Sequence, residues 1–350
     1  MSSSVEYRSA TGAAGDLAQP FEAREGVLEL PGGLALHHGA RLPQVRIAWR
    51  LAGARGAPVV AALGGISAHR RVFDSGEGAL PGWWDEIAGP GRPLDSERFR
   101  ILGLDFLGGS GETTGPRRGD AFPTVSTYDQ ASALLAVANH LSIATLRAIV
   151  GASYGGMVAL AFAERYPERI EQVLVVSAAD RTHPLSTAWR SVQRRTVRFA
   201  LERGDGAAGL ELARALAMAT YRSGAEFAER FRAAPRFDAA GRAIFPVEDY
   251  LFARGAQYAS RYLPESFLCL SESIDLHQVD ATRIRTPAWI VAVREDQLVP
   301  LADVRAMSAQ LGPRAHLYEI GSLYGHDAFL KERVQLEPIF AAALTSPRHD

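Results

Sequence analysis

A serine between two glycines, at the junction of a strand-like and a helix-like segment, is the feature that most constrains this chain. The apolar run Ala148–Val150 leads into Gly151-Ala-Ser-Tyr-Gly, and an alanine-rich segment follows. The pattern G-x-S-x-G in this setting is typical of a nucleophile elbow, a sharp turn that projects the serine hydroxyl above a parallel sheet. A Cβ at Gly151 or Gly155 would collide with backbone, and Ser153 must adopt a strained conformation. Because the chain contains 33 glycines, an ordinary turn with an incidental serine could give the same sequence pattern.

An acidic partner for Ser153 is expected at the end of a later strand. Pro287–Val293 has the composition of a buried strand, and the loop that follows it contains Glu295 and Asp296. Catalytic groups collect at the carboxyl ends of strands in open α/β sheets. Asp296 is therefore the predicted acid, with Glu295 as the alternative.

A histidine should follow the acid, because this class of triad has the chain order serine, acid, histidine. His316 falls inside a strand-like run and His349 lies in the terminal tail, whereas His326 occupies a loop that leads into the last helix. His326 is the predicted base. A serine hydroxyl is a weak nucleophile until a base takes its proton, and the carboxylate fixes the imidazole tautomer.

An oxyanion hole should accompany the triad. One donor is the backbone N–H of Tyr154, the residue after the nucleophile, and the other comes from the loop after an earlier strand. Pro58–Leu63 has the pattern of that strand, so Leu63 or Gly64 is the expected second donor.

The composition is that of an ordinary globular enzyme. The 350 residues are 47% apolar and 22% charged, with a net charge of −1, which gives no indication of a nucleic-acid or membrane partner. Cys269 is the only cysteine, so an internal disulfide is impossible and a reducing compartment is favoured. No signal-peptide pattern and no transmembrane-length apolar run is present, and the expected location is the cytoplasm. No metal site is predicted.

Strand-like and helix-like runs alternate along most of the chain. This alternation predicts an α/β fold of the α/β-hydrolase type, with a mostly parallel sheet and an antiparallel edge formed by early strands, including Val27–Leu30 and Leu34–His38. Residues 182–283 have helical spacing and no strand signals, which predicts an inserted lid. The expected organisation is a tail at 1–23, a core at 24–181 and 284–350, and this lid. The glycine-rich run 106–115 lacks the Gly-Lys ending of a phosphate loop and is expected beside the pocket.

Several longer segments resemble the homoserine O-acyltransferase family. The matching segments, which span roughly residues 40–340, are 82–95, 107–116, 220–231, 247–251 and 324–330. The resemblance implies an acyl-CoA-dependent transferase of methionine biosynthesis that acts on L-homoserine through an acylated Ser153. Acyl-CoA would be a co-substrate, with no resident cofactor, and the enzyme would be a homodimer packed through lid helices. By the same resemblance Arg222 would hold the substrate carboxylate and Asp327 its amino group.

The chain departs from the pattern of the acetyl-transferring members in three places. Gly64 stands where they have threonine, Tyr154 where they have methionine, and Arg190-Ser191 where they often have Asn-Glu. A smaller residue and an extra cation at the acyl site favour a longer, anionic acyl group, so succinyl-CoA is preferred over acetyl-CoA. Each of these residues also has a purely structural explanation. Arg190 could lie on a solvated helix face, Arg222 could be a surface residue of the lid, and Asp327 could be a helix N-cap. Three other functions also stay open. The acceptor could be L-serine, the protein could be an ester or thioester hydrolase, or it could be a non-catalytic protein of the same fold.

Overall fold

The computed structural model describes residues 20–76, 80–119 and 121–345. The predicted tail at 1–23 lies mostly outside these ranges, as does His349. Its last three residues belong to the sheet instead, because Phe21, Glu22 and Ala23 pair with Ala54, Gly53 and Ala52. Within the described ranges, no helix has both the length and the apolar character needed to cross a membrane.

An eight-stranded sheet forms the centre of the molecule. Its strands in chain order are β1 (Phe21–Leu30), β2 (Val45–Ala54), β3 (Val59–Leu63), β4 (Arg100–Leu104), β5 (Ala148–Ala152), β6 (Val173–Val176), β7 (Ala288–Val293) and β8 (Ala315–Ile320). The spatial order is β1-β2-β4-β3-β5-β6-β7-β8. Strands β1 and β2 run antiparallel to their neighbours, whereas β3 to β8 are parallel. The predicted α/β class with an antiparallel edge is confirmed.

Helices cover both faces of this sheet and build a layer above its carboxyl edge. They are α1 (Thr127–His140), α2 (Tyr154–Arg165), α3 (Pro184–Leu201), α4 (Gly206–Tyr221), α5 (Gly224–Arg230), α6 (Pro246–Ala259), α7 (Pro264–Asp275), α8 (Leu301–Leu311), α9 (Ala328–Lys331) and α10 (Arg333–Thr345). Short 3₁₀ turns occupy Pro167–Arg169, Ala281–Arg283, Gly312–Arg314 and Gly325–Asp327. Helix α2 is the most enclosed of them, with ten of its twelve residues buried. It therefore holds the predicted elbow rigidly at the middle of the sheet.

Helices α3 to α7 all fall between β6 and β7, in the segment predicted as a lid. Helix α4 packs on α3, α6 and α7 and forms a small core of its own around Val197, Leu210, Ala213 and Phe267. The sequence prediction of no strands here is wrong in one detail. Arg236–Phe237 pairs with Ala243–Ile244, because the turn Asp238–Arg242 closes a hairpin.

A second correction concerns the early strands. Leu34–His38 was expected in the edge of the large sheet, but only Leu34–Ala35 is extended, and it pairs with Arg41–Leu42 in a separate ribbon. Gly33 and Gly39, both with positive φ, turn the chain on either side of Leu34–Ala35 and take it out of the sheet. A third two-residue pair, Ala88–Gly89 with Leu94–Asp95, also lies outside the main sheet.

Candidate active site

The turn between β5 and α2 has the strained geometry that a nucleophile elbow requires. Ser153 has φ 55° and ψ −121°, a region that residues with a side chain rarely occupy. A Cβ on Gly151 would lie 2.3 Å from the carbonyl oxygen of Gly155, and one on Gly155 would lie 2.1 Å from the carbonyl oxygen of Leu63. Only glycine fits at either position. The two glycines therefore permit the tight turn that projects the Ser153 hydroxyl.

Ser153, His326 and Asp296 form a continuous hydrogen-bonded relay. Ser153 Oγ lies 2.8 Å from His326 Nε2, and His326 Nδ1 lies 2.8 Å from Asp296 Oδ2. His326 and Asp296 are each about 5% exposed, so bulk water does not compete for these bonds. In the catalytic arrangement the hydroxyl donates to Nε2, and the Nδ1–H donates to the carboxylate.

The other oxygen of Asp296 accepts the backbone N–H groups of Leu298 and Val299 at 2.8 and 3.0 Å, which fixes the carboxylate. Glu295, the alternative acid, turns away and accepts the N–H of Ser322 at 2.7 Å. His316 stacks on Trp289 with ring centroids 4.4 Å apart, remote from the relay.

Three charges set the pKa of His326. Burial disfavours the imidazolium and lowers the pKa, but the contact with Asp296 and the nearby Asp327 outweigh it, so the pKa lies above the usual value of 6.5. Arg190 opposes this rise. The raised pKa makes His326 a stronger base than a free imidazole.

The predicted oxyanion donors belong to two segments that meet at the elbow. Tyr154 is the first residue of α2, where N–H groups have no intrahelical acceptor. Leu63 ends β3, and the Gly64 carbonyl accepts the N–H of Gly155 at 2.8 Å, which ties this loop to the elbow. A Cβ on Gly64 would lie 2.7 Å from Ala68 and from the ring of Trp83, so the loop has no space for a larger residue.

Arg190 is not on a solvated helix face, because it lines the same narrow cavity as Ser153 and His326. It is 11% exposed, and its Nε donates to Asp275 Oδ1 at 2.7 Å. Arg194, one turn along α3, donates to the other oxygen of Asp275 at 2.5 Å. Arg190 Nη2 is buried and also lies 2.7 Å from Asp275 Oδ1. Two arginines thus share one carboxylate, which leaves a net positive charge beside the nucleophile.

Arg222 and Asp327 contact each other directly. Arg222 Nε lies 3.0 Å from Asp327 Oδ2, and its Nη1 lies 3.3 Å from Glu226. Both side chains of the Arg222–Asp327 pair are largely buried, so Arg222 is not a surface residue of the lid. Asp327 stands at the N-terminus of α9 but makes no side-chain capping bond there. The carbonyl of Arg222 accepts from the Gln297 side chain at 2.9 Å, which links the pair to the loop that contains Asp296.

Arg222 lines a second, larger cavity and not the narrow one that contains Ser153. The larger cavity measures about 840 Å³, and Ile66 borders both. The glycine-rich run 106–115, expected beside the pocket, contributes part of its wall. The structure therefore places Ser153, His326 and Arg190 on one cavity, and puts the Arg222–Asp327 pair next to it.

Two contacts at this site were not anticipated from the sequence. The Tyr154 hydroxyl lies 2.7 Å from Ser273 Oγ, so helix α7 of the lid is fastened to the elbow. Asp275, two residues further, is the shared partner of Arg190 and Arg194. The spacing of these two arginines, four residues apart on one helix face, was the available signal for a buried acid between them. Over the described ranges, no group of three or more His, Cys, Asp or Glu side chains is arranged to hold a metal.

Comparison with known proteins agrees with this geometry. Residues 78–332 match the family model described as alpha/beta hydrolase fold. A homoserine O-succinyltransferase of Xanthomonas campestris pv. campestris is 43% identical over 334 residues, covering 95% of this chain and 87% of that protein. A serine O-succinyltransferase of Litchfieldella anticariensis is 32% identical over 360 residues, covering 91% and 97%.

Similarity to a solved structure extends over almost the whole chain. The crystal structure of a homoserine O-acetyltransferase from Bacillus anthracis superposes with a TM-score of 0.83 at 18% identity, covering 95% of this chain and 100% of that one. At that identity the superposition supports the fold, while the sequence relatives identify the family. The chain belongs to the homoserine O-acyltransferase family within the α/β-hydrolase fold.

Proposed function

We propose that this protein transfers an acyl group from acyl-CoA to the hydroxyl of L-homoserine, a step of methionine biosynthesis in the cytoplasm. The observation that carries the proposal is the Ser153–His326–Asp296 relay beside the buried Arg222–Asp327 pair. The relay suits acyl transfer through a serine ester, and the pair offers one cation and one anion to an amino acid. The names of the two sequence relatives support the same acceptor class.

In the first half-reaction Ser153 Oγ attacks the thioester carbonyl carbon while its proton passes to His326 Nε2. The oxyanion accepts hydrogen bonds from the Tyr154 N–H and from the N–H of Leu63 or Gly64. The C–S bond then breaks, and the CoA sulfur takes the proton from His326. The product is an ester on Ser153, with free CoA released.

In the second half-reaction the homoserine hydroxyl attacks that ester, and His326 takes the hydroxyl proton. The C–O bond to Ser153 breaks, and the proton returns to Ser153 Oγ. The Arg222 guanidinium would bind the substrate carboxylate and Asp327 its ammonium. Since CoA leaves before homoserine reacts, the kinetics should be ping-pong.

Succinyl-CoA is the proposed donor. The acyl chain of the Ser153 ester would extend into the narrow cavity that Arg190 lines. A succinyl carboxylate would balance the extra positive charge of the Arg190–Asp275–Arg194 cluster, whereas an acetyl group carries no charge that could do so. The name of the Xanthomonas relative points the same way.

We also propose a homodimer. Helix α3 exposes Leu185, Val192 and Phe199, each about half exposed and spaced by seven residues, so they form one apolar stripe. A second copy packing on this lid helix would remove the stripe from water. Sedimentation velocity at micromolar concentration tests this: the dimer should dissociate in a Val192→Glu variant, and a monomeric wild type would contradict it.

The deciding experiment measures free CoA thiol from purified protein given succinyl-CoA or acetyl-CoA, with L-homoserine, L-serine or no amino acid. Release that requires homoserine, and is faster with succinyl-CoA, is the expected result. Preference for serine would change the acceptor. Release that is indifferent to either amino acid would make the protein a thioester hydrolase and remove the roles given to Arg222 and Asp327.

A further inference from the structure

The cations that line the larger cavity differ in whether they have carboxylate partners. On the sheet side, Arg70 is matched by three carboxylates: Glu25, Asp105 and Glu112 lie 2.7, 2.7 and 3.0 Å from it. The positive charge of Arg70 is therefore largely neutralised.

Three other cations that line the cavity have no such partners. Arg254 and Arg261 come from lid helix α6 and the turn after it, and Lys331, the only lysine of the chain, ends α9. Arg254 donates to the amide oxygen of Gln257 at 3.0 Å. No carboxylate lies within ion-pair distance of these three cations in the parts of the chain that the structure describes. These three residues therefore give the lining of a cavity of about 840 Å³ a surplus of positive charge.

We propose that Arg254, Arg261 and Lys331 bind the phosphate groups of CoA, namely the 3′-phosphate and the pyrophosphate of its nucleotide end. This inference rests on the proposed function and assigns the carrier portion of the acyl donor to a different cavity from its acyl group. Phosphate esters carry about −1.5 to −2 charges at neutral pH and form strong charge-assisted bonds with arginine and lysine.

The shape of the cavity is consistent with this assignment. Leu80, Pro81 and Trp83 supply an apolar wall of the kind an adenine ring packs against. Ile66 borders both cavities, so a donor with its phosphates on these three cations can send its flexible thioester arm past Ile66 to Ser153. A multiply charged ligand fits a concave cavity lined by several cations, because each charge can meet a separate cation.

The test compares two donors that differ only in the nucleotide. The acyl-CoA that reacts faster is assayed beside the pantetheine thioester of the same acid, with wild type, Arg261→Gln, Lys331→Gln and the double variant. Arg55→Gln is the matched control, since Arg55 lies exposed in the turn before β3, at the edge of the sheet opposite the triad.

Each substitution should raise the KM for acyl-CoA about tenfold, the effect of losing one charge-assisted contact. It should leave kcat unchanged, because the contact is present in both ground and transition states. The KM for the pantetheine thioester should not move, and Arg55→Gln should behave as wild type. Equal effects on both donors, or no effect on either, would overturn the site.

Calorimetric titration of CoA into the unacylated protein separates this proposal from the proposed function. If CoA binds wild type but binds the double variant at least tenfold more weakly, the site stands even where no acyl transfer is found. If transfer proceeds from both donors and the double variant binds CoA as wild type does, the reaction stands and the site does not.

Discussion

Replacing Arg190 with glutamine should change which acyl donor the enzyme uses. The Arg190 side chain lines the catalytic cavity, is 11% exposed and shares the Asp275 carboxylate with Arg194. A hydrogen bond to a charged group contributes about 1.5–3 kcal/mol. Loss of the proposed contact between Arg190 and the succinyl carboxylate should therefore lower kcat/KM for succinyl-CoA by about 10- to 150-fold. The value for acetyl-CoA should not be affected by this loss.

Arg194→Gln is the matched control for Arg190→Gln. Both arginines bind Asp275 from the same helix, and both are 11% exposed, but Arg194 does not line the catalytic cavity. Either substitution leaves Asp275 with one arginine, so the two variants should lose similar stability in thermal unfolding. Only Arg190→Gln should change the ratio of kcat/KM values for the two donors.

The assay follows thiol release under initial-rate conditions with saturating homoserine, at several pH values. Since Arg190 lowers the pKa of His326, Arg190→Gln should also move the acidic limb of the profile to higher pH for both donors. Rates are therefore compared on the plateau, where His326 is neutral. An equal loss for both donors on that plateau, or the same change of ratio in Arg194→Gln, would refute the role of Arg190 in donor choice.

Three further outcomes are expected. Asp296→Asn should lower kcat by about 10⁴-fold in the thiol assay through loss of the correct imidazole tautomer, while Glu295→Gln keeps most activity; the opposite ranking would make Glu295 the acid. Gly155→Ala, whose Cβ would lie 2.1 Å from the Leu63 oxygen, should abolish acyl transfer and lower the melting temperature, and an active, stable variant would contradict the elbow geometry. With wild type, kcat/KM should fall with decreasing pH through a pKa above 6.5, because protonated His326 cannot accept the Ser153 proton. A midpoint below pH 6.5 would contradict the balance of charges around the imidazole.

The elbow and the sheet were predictable because their constraints are local. The strained turn at Ser153 requires glycines at fixed positions on both sides, and buried parallel strands are continuous apolar runs. Asp296 could be chosen because it follows such a run, and His326 because it lies beyond that acid, in the loop after the strand Ala315–Ile320. These residues act at strand ends, and strand ends are visible in the sequence.

The electrostatic arrangement of the lid was harder to predict from the sequence, because it depends on which helices pack against each other. Asp275 lies 85 residues beyond Arg190 along the chain, and only the packing of α7 on α3 brings them together. The same holds for the contact between Tyr154 and Ser273. The separation of Arg222 from the cavity of Ser153 is likewise a property of three-dimensional packing.

Under the proposed roles of Arg222 and Asp327, their contact would make substrate binding an exchange of ion pairs. With the site empty, the Arg222 guanidinium contacts the carboxylates of Asp327 and Glu226. A zwitterionic amino acid would replace the Arg222–Asp327 pair with two pairs, so neither buried charge would be left alone and the net charge of the site would not change. A hydroxy acid could match only Arg222 and would leave Asp327 buried without a partner, which costs several kcal/mol. Selectivity for an amino acid would then come from the penalty imposed on its half-matched analogues.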